Sequence, residues 1–227
     1  MSAISVSTFF IAFLLMVGCG STKTTQSAIR RETDVLDVRI FEGGSSSSLS
    51  KESVSSVGFD DNGQESRLLI YFPKLLDLWS SEVVVSSISI IELVLNCSDI
   101  AVNPENIELF PVTQPWGPFA TWTLIDRLSG EHWASAGGDV DLSAPAITPS
   151  FRLSTTHASS KEIAFDITRL IKRMILEGEA NYGFQIRVKK SDLNSKNAMN
   201  FSMSNHSEPG VRPSSILVFS HSTAVEP

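Results

Sequence analysis

The amino-acid sequence predicts an all-β protein, a jelly-roll β-sandwich with one short helix. Roughly eight to ten short segments alternate apolar and polar residues, as strands with one buried face do. Turn signals rich in Gly, Pro, Asn and Asp separate these segments at the spacing typical of sandwiches. Apolar residues follow the helical period clearly in a single stretch, so the strands dominate the fold class.

The strand segments follow one another from residue 35 to residue 219. Pro73 ends the third segment, because proline cannot donate a hydrogen bond to a sheet. The segment ending at Cys97 is the longest and has apolar residues at alternate positions from Ile91 onward. The predicted strands cover residues 35–40, 54–59, 67–72, 86–97, 107–112, 184–189, 199–203 and 216–219.

The single predicted helix begins near Asp166 and ends at Gly178. Asp166 is of a residue type that caps helix N-termini, and glycine commonly ends a helix. The start and stop signals give a helix of about twelve residues. The apolar face at helical spacing comprises Ile167, Leu170, Ile171, Met174 and Ile175, and the opposite face carries Arg169, Lys172 and Arg173.

The first eighteen residues have the pattern of a signal peptide. They contain no Asp, Glu, Lys or Arg, and residues 9–17 form an apolar run too short to span a membrane comfortably. The run ends in Met16-Val17-Gly18-Cys19, which resembles the bacterial lipobox. This resemblance implies that Cys19 carries lipid such as palmitate. An ordinary signal peptide cut nearby is the alternative.

The lipobox resemblance sets the expected domain boundaries and location. Residues 1–18 are the lipoprotein signal peptide, 19–33 a flexible tether, 34–222 the folded domain and 223–227 a tail. Gly20, rather than Asp, follows the cysteine, which favours the bacterial outer membrane or cell surface. Cys97 then has no disulfide partner and is predicted to be a small buried apolar residue. A disulfide between Cys19 and Cys97 is the rival interpretation.

Three of the four tryptophans fall in residues 116–141, a segment rich in Gly and Pro that we call the tryptophan loop. Large aromatic side chains on turns either fill a core or present flat faces to a ligand. Stacking of sugar rings would use Trp116, Trp122 and Trp133, and Tyr71 and Trp79 are further aromatic candidates.

Four groups of residues, in order along the chain, resemble the DNRLRE domain, also known as carbohydrate-binding module family ninety-six. They are the "R-x-L-L-x-F" strand at 67–72, the tryptophan loop, the "F-D-V-T … N-Y-G" element at 165–183, and the closing segment at 201–217. The resemblance spans about residues 35–220. It implies a jelly-roll sandwich that binds polysaccharide, for example an alginate-like one. A basic group of Arg152, Arg187 and Lys189 would then face an acidic ligand.

Charge and motif content argue against several other functions. The net charge of -7 and the lack of a basic stripe disfavour nucleic acid as a partner. The four histidines are scattered, and no nucleophile, phosphate-loop or dinucleotide motif occurs, so we expect no enzyme and no organic cofactor. Asp139 and Asp141 are candidate calcium ligands, although solvated carboxylates in a turn are the alternative.

Two function classes therefore remain from the sequence. The first is a surface-anchored lipoprotein carrying a non-catalytic polysaccharide-binding module. The second is a structural or adhesive lipoprotein of the cell envelope that binds no sugar. Exposed tryptophan rings favour the first class and buried rings favour the second.

Overall fold

The structure is a computed structural model, and it describes residues 22–31, 35–44, 53–76, 88–99, 102–153, 161–189 and 198–224. Most of these residues form strands in a curled antiparallel sheet. A single α-helix, α1 (Thr168–Glu177), lies within the same ranges. The predicted all-β sandwich with one short helix is confirmed.

Thirteen strands occur among the described residues. Short 3₁₀ turns at Pro104–Asn106 and Pro209–Val211 precede β6 and β13 respectively. The strands are β1 (Thr22–Arg31), β2 (Leu36–Phe41), β3 (Val54–Phe59), β4 (Glu65–Tyr71), β5 (Ile88–Asp99), β6 (Ile107–Pro111), β7 (Leu124–Asp126), β8 (Glu131–His132), β9 (Ser150–Leu153), β10 (Lys161–Asp166), β11 (Phe184–Val188), β12 (Ala198–Ser202) and β13 (Ser214–Ala224).

Eleven strands share one sheet, in which the order β1-β13-β5-β12-β3-β4-β11-β6 forms the main path. Strand β10 pairs with both β5 and β9, and β2 pairs with β4, so the sheet branches at β5 and β4. All of these pairings are antiparallel. Strands β7 and β8 form a separate hairpin inside the tryptophan loop.

Strand β4 separates two hydrophobic clusters. Leu68 and Ile70 point into the larger cluster, which we call the main core, whereas Leu69 points to the opposite face. This follows from the two-residue alternation of side chains along a strand. On the opposite face, Leu69 joins the second core, whose buried members are Val38, Ile40, Leu69, Val112, Ala120 and Trp133.

Helix α1 packs its apolar face on the main core, as predicted. Leu170, Ile171 and Met174 are buried there. Gly178 ends the helix in the left-handed conformation, with φ of 67°. Glycine adopts that conformation without the steric penalty that a Cβ atom brings, so the predicted stop is confirmed.

The start of α1 differs from the prediction by one residue. The N-cap position belongs to Ile167, and Asp166 is the last residue of β10. The Asp166 carboxylate still accepts the main-chain N–H of Thr168 at 2.9 Å and its hydroxyl at 2.5 Å. Asp166 thus satisfies a main-chain donor of the first turn while remaining paired in the sheet, and the helix has ten residues.

Residues 22–31 form β1 where the sequence predicted a flexible tether. Every residue of β1 pairs with β13, from Thr22 opposite Ala224 to Arg31 opposite Ser215. The other edge of β13 pairs with β5. Strand β1 therefore satisfies the main-chain N–H and C=O groups of β13 that β5 does not reach. Main-chain pairing does not require apolar side chains, which explains why a polar segment forms this strand. Strand β13 also extends into the predicted tail, as far as Ala224.

Several sequence predictions concern residues outside the described ranges. The signal peptide, the lipid site at Cys19 and the aromatic candidate Trp79 all lie there. Within the described residues, no helix has the length and apolar character needed to cross a membrane. Cys97 is buried and is a free thiol, in agreement with its predicted role as a small apolar residue.

Candidate functional site

The tryptophan loop folds back over one face of the sheet. Its base is fixed to β6 and β11, because Val112 N–H bonds Gly183 O at 3.0 Å and Asp141 N–H bonds Pro111 O at 3.0 Å. From this base the loop covers the face of β2 and β4 that carries Val38 and Leu69. The loop is therefore a packed layer of the fold.

Trp133 is a core residue of this layer. Only 5% of its surface is exposed, and it belongs to the second core. Its indole N–H donates to the carbonyl of Thr121 at 2.9 Å, so the one polar atom of the ring is satisfied inside the protein. Nearly all of Trp133 is therefore buried, and its stacking on sugar stays a prediction.

Trp116 and Trp122 are only partly buried, and both pack against the second core. The indole N–H of Trp116 donates to the carbonyl of Tyr182 at 2.7 Å, which ties the loop to the start of β11. The main-chain carbonyl of Trp122 accepts the N–H of Gly137 at 2.6 Å. These two rings are the predicted aromatic candidates of the loop that keep some exposure to solvent.

Arg67 connects β4 to the tryptophan loop. Its guanidinium carbon lies 4.8 Å from the centroid of the Trp122 ring, within the range of a cation–π contact. Two nitrogens bind the Glu65 carboxylate at 2.7 Å each, and Nη1 donates to Gly137 O at 2.9 Å. Arg67 therefore fixes the orientation of the Trp122 ring and the position of the Gly137 carbonyl.

Gln185 holds the same carbonyl from the neighbouring strand. Its Nε2 donates to Gly137 O at 2.7 Å, and the side chain is fully buried. The chain at Gly138 has φ of 92°, and a Cβ atom there would lie 2.6 Å from Gln185 Nε2. The Gly137-Gly138 pair thus permits the close approach of the loop to β11.

Arg67 and Gln185 were not predicted from the sequence as residues that hold the loop. A signal was present for each, because Arg67 directly precedes the apolar residues 68–70 and Gln185 lies between Phe184 and Ile186. A polar side chain within a buried strand needs a partner, and here the partner is a loop carbonyl far away in sequence.

Two of the predicted basic residues, Arg187 and Lys189, lie on β11 and just beyond it. Arg187 Nε binds Glu108 Oε2 at 3.1 Å, and its guanidinium carbon lies 4.4 Å from the centroid of the Phe110 ring. Because Ile186 pairs with Leu68, the register places Arg187 opposite Arg67 on the adjacent strand. Each arginine has its own glutamate partner, which offsets the repulsion between like charges across the strands.

Lys189 and Arg152 are not brought together with the tryptophans by any described contact. Lys189 is exposed after the end of β11, and its main-chain N–H bonds Asn106 O at 2.6 Å. Arg152 lies in β9, opposite Glu162 of β10. The structure therefore places Arg152 on β9, and Arg187 and Lys189 on or directly after β11.

Asp139 and Asp141 have hydrogen-bond donors of the protein as partners. The Asp139 carboxylate accepts the N–H groups of Ala134 and Ser135 at 2.7 Å each, and it also accepts the side-chain amide of Gln114. The Asp141 carboxylate accepts the N–H of Ser143 at 2.9 Å and its hydroxyl at 2.5 Å. The hydrogen bond from that hydroxyl is the main cause that lowers the pKa of Asp141. Both carboxylates thus stabilise turns.

The described residues contain no group of three or more His, Cys, Asp or Glu side chains arranged to hold a metal ion. Calcium usually takes six to eight oxygen ligands, whereas Asp139 and Asp141 each face several N–H donors. The two aspartates accordingly act as hydrogen-bond acceptors in this conformation.

No protein-family model matches this chain. A search of the curated proteins gives no match either. The motifs of the sequence and the partly exposed rings of the tryptophan loop are therefore the features that point to a function.

Proposed function

We propose that this chain is a lipid-anchored, non-catalytic module of the bacterial cell envelope that binds polysaccharide. The binding surface is the outer side of the tryptophan loop. One observation carries the proposal: Trp116 and Trp122 remain partly exposed although hydrogen bonds and packing fix the loop on the sheet. Aromatic faces that are already fixed lose little conformational entropy when a ligand stacks on them.

A third aromatic ring lies between these two tryptophans in the chain. Phe119 is 36% exposed, and its carbonyl accepts the N–H of Arg127 from the β7–β8 hairpin at 3.1 Å. Sugar rings present apolar C–H faces to aromatic side chains and hydroxyls to nearby polar groups. Under the proposal, the outer side of the loop combines these aromatic rings with nearby polar groups.

The resemblance to the DNRLRE domain supports the same proposal, because it extends over most of the described residues and implies polysaccharide binding. The lipobox-like Met16-Val17-Gly18-Cys19 supports a lipid anchor. Gly20 after the cysteine supports the outer membrane or cell surface as the location. Arg187 supports an acidic polysaccharide as ligand, because the register places it opposite Arg67, which contacts Trp122.

The second candidate function is a structural or adhesive envelope lipoprotein that binds no sugar. The indole N–H groups of Trp116 and Trp133 both bind main-chain carbonyls, and the Arg67 guanidinium lies on the ring of Trp122. These contacts favour a structural role for all three tryptophans, because each ring already has a partner inside the protein.

Affinity gels and a glycan array, run with residues 20–227 so that β1 is kept, test the two functions. Under the proposal at least one polysaccharide is retained, and Trp122→Ala and Phe119→Ala weaken retention severalfold while the melting temperature changes little for Phe119→Ala. Trp133→Ala is the matched core control and should lower the melting temperature strongly.

The same measurements with and without Ca²⁺ test whether Asp139 and Asp141 bind calcium. If no polysaccharide is retained, polysaccharide binding is refuted and the structural or adhesive function is favoured.

A further inference from the structure

Three residues of β4, Arg67, Leu69 and Tyr71, lie on the face of the sheet over which the tryptophan loop folds. This follows from the two-residue alternation of side chains, because Leu69 belongs to the second core. Arg67, near the start of β4, contacts the ring of Trp122. Tyr71 is the last residue of the strand. At about 3.4 Å per residue, the Cα atoms of Arg67 and Tyr71 are roughly 14 Å apart.

A turn of residues 181–183, which we call the tyrosine turn, lies beside the Tyr71 end of β4. Phe184 pairs with Ile70, so the register places Gly183 opposite Tyr71. A Cβ atom at Gly183 would lie 2.4 Å from Ile70 O and 3.0 Å from Tyr71 Cα, and φ of Gly183 is 84°. Glycine permits both the close approach and the positive φ. The tyrosine turn therefore packs directly against the end of β4.

Three hydrogen bonds fix the main chain around Tyr182, the central residue of this turn. Asn181 Nδ2 donates to Phe72 O at 3.2 Å, and Asn181 Oδ1 accepts the N–H of Gly183 at 2.9 Å. The indole N–H of Trp116 donates to Tyr182 O at 2.7 Å. The rings of Tyr182 and Trp116 both pack against the second core. The fold thus holds these two rings in place without a ligand.

The hydroxyls of Tyr182 and Tyr71 face solvent. Both side chains are half-buried. Within the part of the chain that the structure describes, neither hydroxyl has a hydrogen-bond partner, and neither is among the buried polar atoms that lack one. A fixed aromatic ring with such a hydroxyl can contact the C–H face of a sugar and also bond one of its hydroxyls. Tyr182 and Tyr71 both offer this combination.

A partly exposed group of charged side chains lies next to the tyrosine turn in the chain. Arg173 of α1 has ion pairs with Glu179 at 3.2 Å and with Asp141 at 3.8 Å. Glu179 precedes Tyr182 by three residues, and Asp141 lies at the base of the tryptophan loop, where its N–H bonds Pro111 O. Polar groups that surround aromatic rings are typical of sites that orient a polar ligand.

We propose that the polysaccharide site continues past Trp116 onto Tyr182 and Tyr71, so that the protein binds an extended stretch of several sugar units. We call these three residues the tyrosine platform. The inference rests on the proposed function and deepens it. A chain that contacts both Trp122 and Tyr71 must be longer than one sugar ring, because the ends of β4 are roughly 14 Å apart. The second contact made by the same molecule is intramolecular, so affinity rises steeply once the chain reaches both ends.

Oligosaccharides of graded length test whether the site is continuous. The probe is the polysaccharide that the affinity gels retain, with alginate tested first, after partial hydrolysis and separation by size. Calorimetric titration into residues 20–227 gives the affinity for each length. Oligosaccharides that span the site should bind roughly tenfold or more tightly than the disaccharide. The same affinity for the disaccharide and for every longer fraction overturns the proposal.

Tyr182→Phe and Tyr71→Phe test the platform residues, because each removes a hydroxyl without a protein partner and keeps the ring. Both variants should bind the long oligosaccharides severalfold more weakly and melt at the wild-type temperature. Ser202→Ala removes a hydroxyl on β12 and should leave affinity unchanged. Wild-type affinity in both tyrosine variants refutes the platform, and the proposed function then still stands if Trp122→Ala and Phe119→Ala weaken retention. Retention of no polysaccharide by the wild type refutes both.

Discussion

Asp37 of β2 is linked by two hydrogen bonds to Ser204, which lies in the turn after β12, 167 positions away in sequence. Ser204 donates its main-chain N–H to one carboxylate oxygen of Asp37 at 2.6 Å and its hydroxyl to the other at 2.8 Å. Asp37 is only 2% exposed. Burial raises its pKa above the ordinary value of 3.8, although both hydrogen bonds from Ser204 act in the opposite direction.

The Asp37→Asn variant should change how stability depends on pH. A carboxyl group whose pKa is raised in the folded state stabilises the fold below its unfolded pKa and loses that contribution as pH rises through its folded pKa. The unfolding free energy of the wild type, relative to Asp37→Asn, should therefore fall between about pH 3 and pH 7. Urea denaturation at both pH values measures this difference.

Asp141→Asn provides a control of opposite sign. The Ser143 hydroxyl lowers the pKa of Asp141, so its contribution is present above the unfolded pKa and is lost as pH falls through the folded value. The wild type should gain stability relative to Asp141→Asn as pH rises. A difference for Asp37→Asn that stays constant with pH would show that burial does not shift its titration.

Arg67→Lys should loosen the tryptophan loop. Lysine cannot reproduce the two parallel hydrogen bonds to Glu65 together with the bond to Gly137 O. We expect a loss of about 1–3 kcal/mol in unfolding free energy, from the partners left unsatisfied. Urea denaturation gives the stability, and near-ultraviolet circular dichroism reports on Trp122. Arg127→Lys, on the exposed hairpin, is the control, and an equal loss there would contradict the role of Arg67.

The inner and outer faces of α1 should respond differently to truncation. Ile171 is fully buried and Met174 is 3% exposed, so replacing either with alanine should cost about 2–5 kcal/mol. Leu176 is 74% exposed, and Leu176→Ala should change stability by less than about 0.5 kcal/mol. Chemical denaturation of the three variants provides the comparison. A loss below half a kilocalorie at Ile171 would mean that the helix does not pack on the main core.

Lipidation of Cys19 is tested by palmitate labelling in a bacterial host. The wild type should incorporate label, and Cys19→Ser should not, because the lipobox-like motif supplies a single acceptor thiol. Cys97→Ser should label like the wild type, since Cys97 is buried in the main core. Equal labelling of the wild type and Cys19→Ser would exclude this anchor.

The alternation of side chains predicted most of the sheet, and the helical period predicted α1. These patterns record which face of an element is buried, so they identify elements that have one apolar face. Strand β1 was not predicted, because it is held to β13 by main-chain hydrogen bonds. Such bonds leave no pattern of apolar and polar residues in the sequence. The order of strands in the sheet was likewise not predicted, because it depends on contacts between distant segments.

The candidate site was predicted only in part. The concentration of tryptophans identified the correct loop, but composition does not tell which ring turns inward. Trp133 is buried while Trp116 and Trp122 are partly exposed, and this difference arises from the fold of the loop over Leu69 and Val38. Gln185 and Arg67 were missed for the same reason, since their common partner, Gly137, is 48 and 70 positions away.

Strand β4 has apolar residues on both faces, and this has a consequence for how the strand finds its alignment. In a strand with one wet face, a shift by one residue exposes apolar side chains to water, and that penalty selects the correct pairing. A shift of β4 by one residue would only exchange Leu68 and Leu69 between the main core and the second core, and both would stay buried. The correct pairing is then determined by the polar residues of β4, because Ser66 bonds Ser56 O at 2.8 Å and Arg67 bonds Gly137 O. The polar start of β4 thus encodes the alignment that its leucines leave ambiguous.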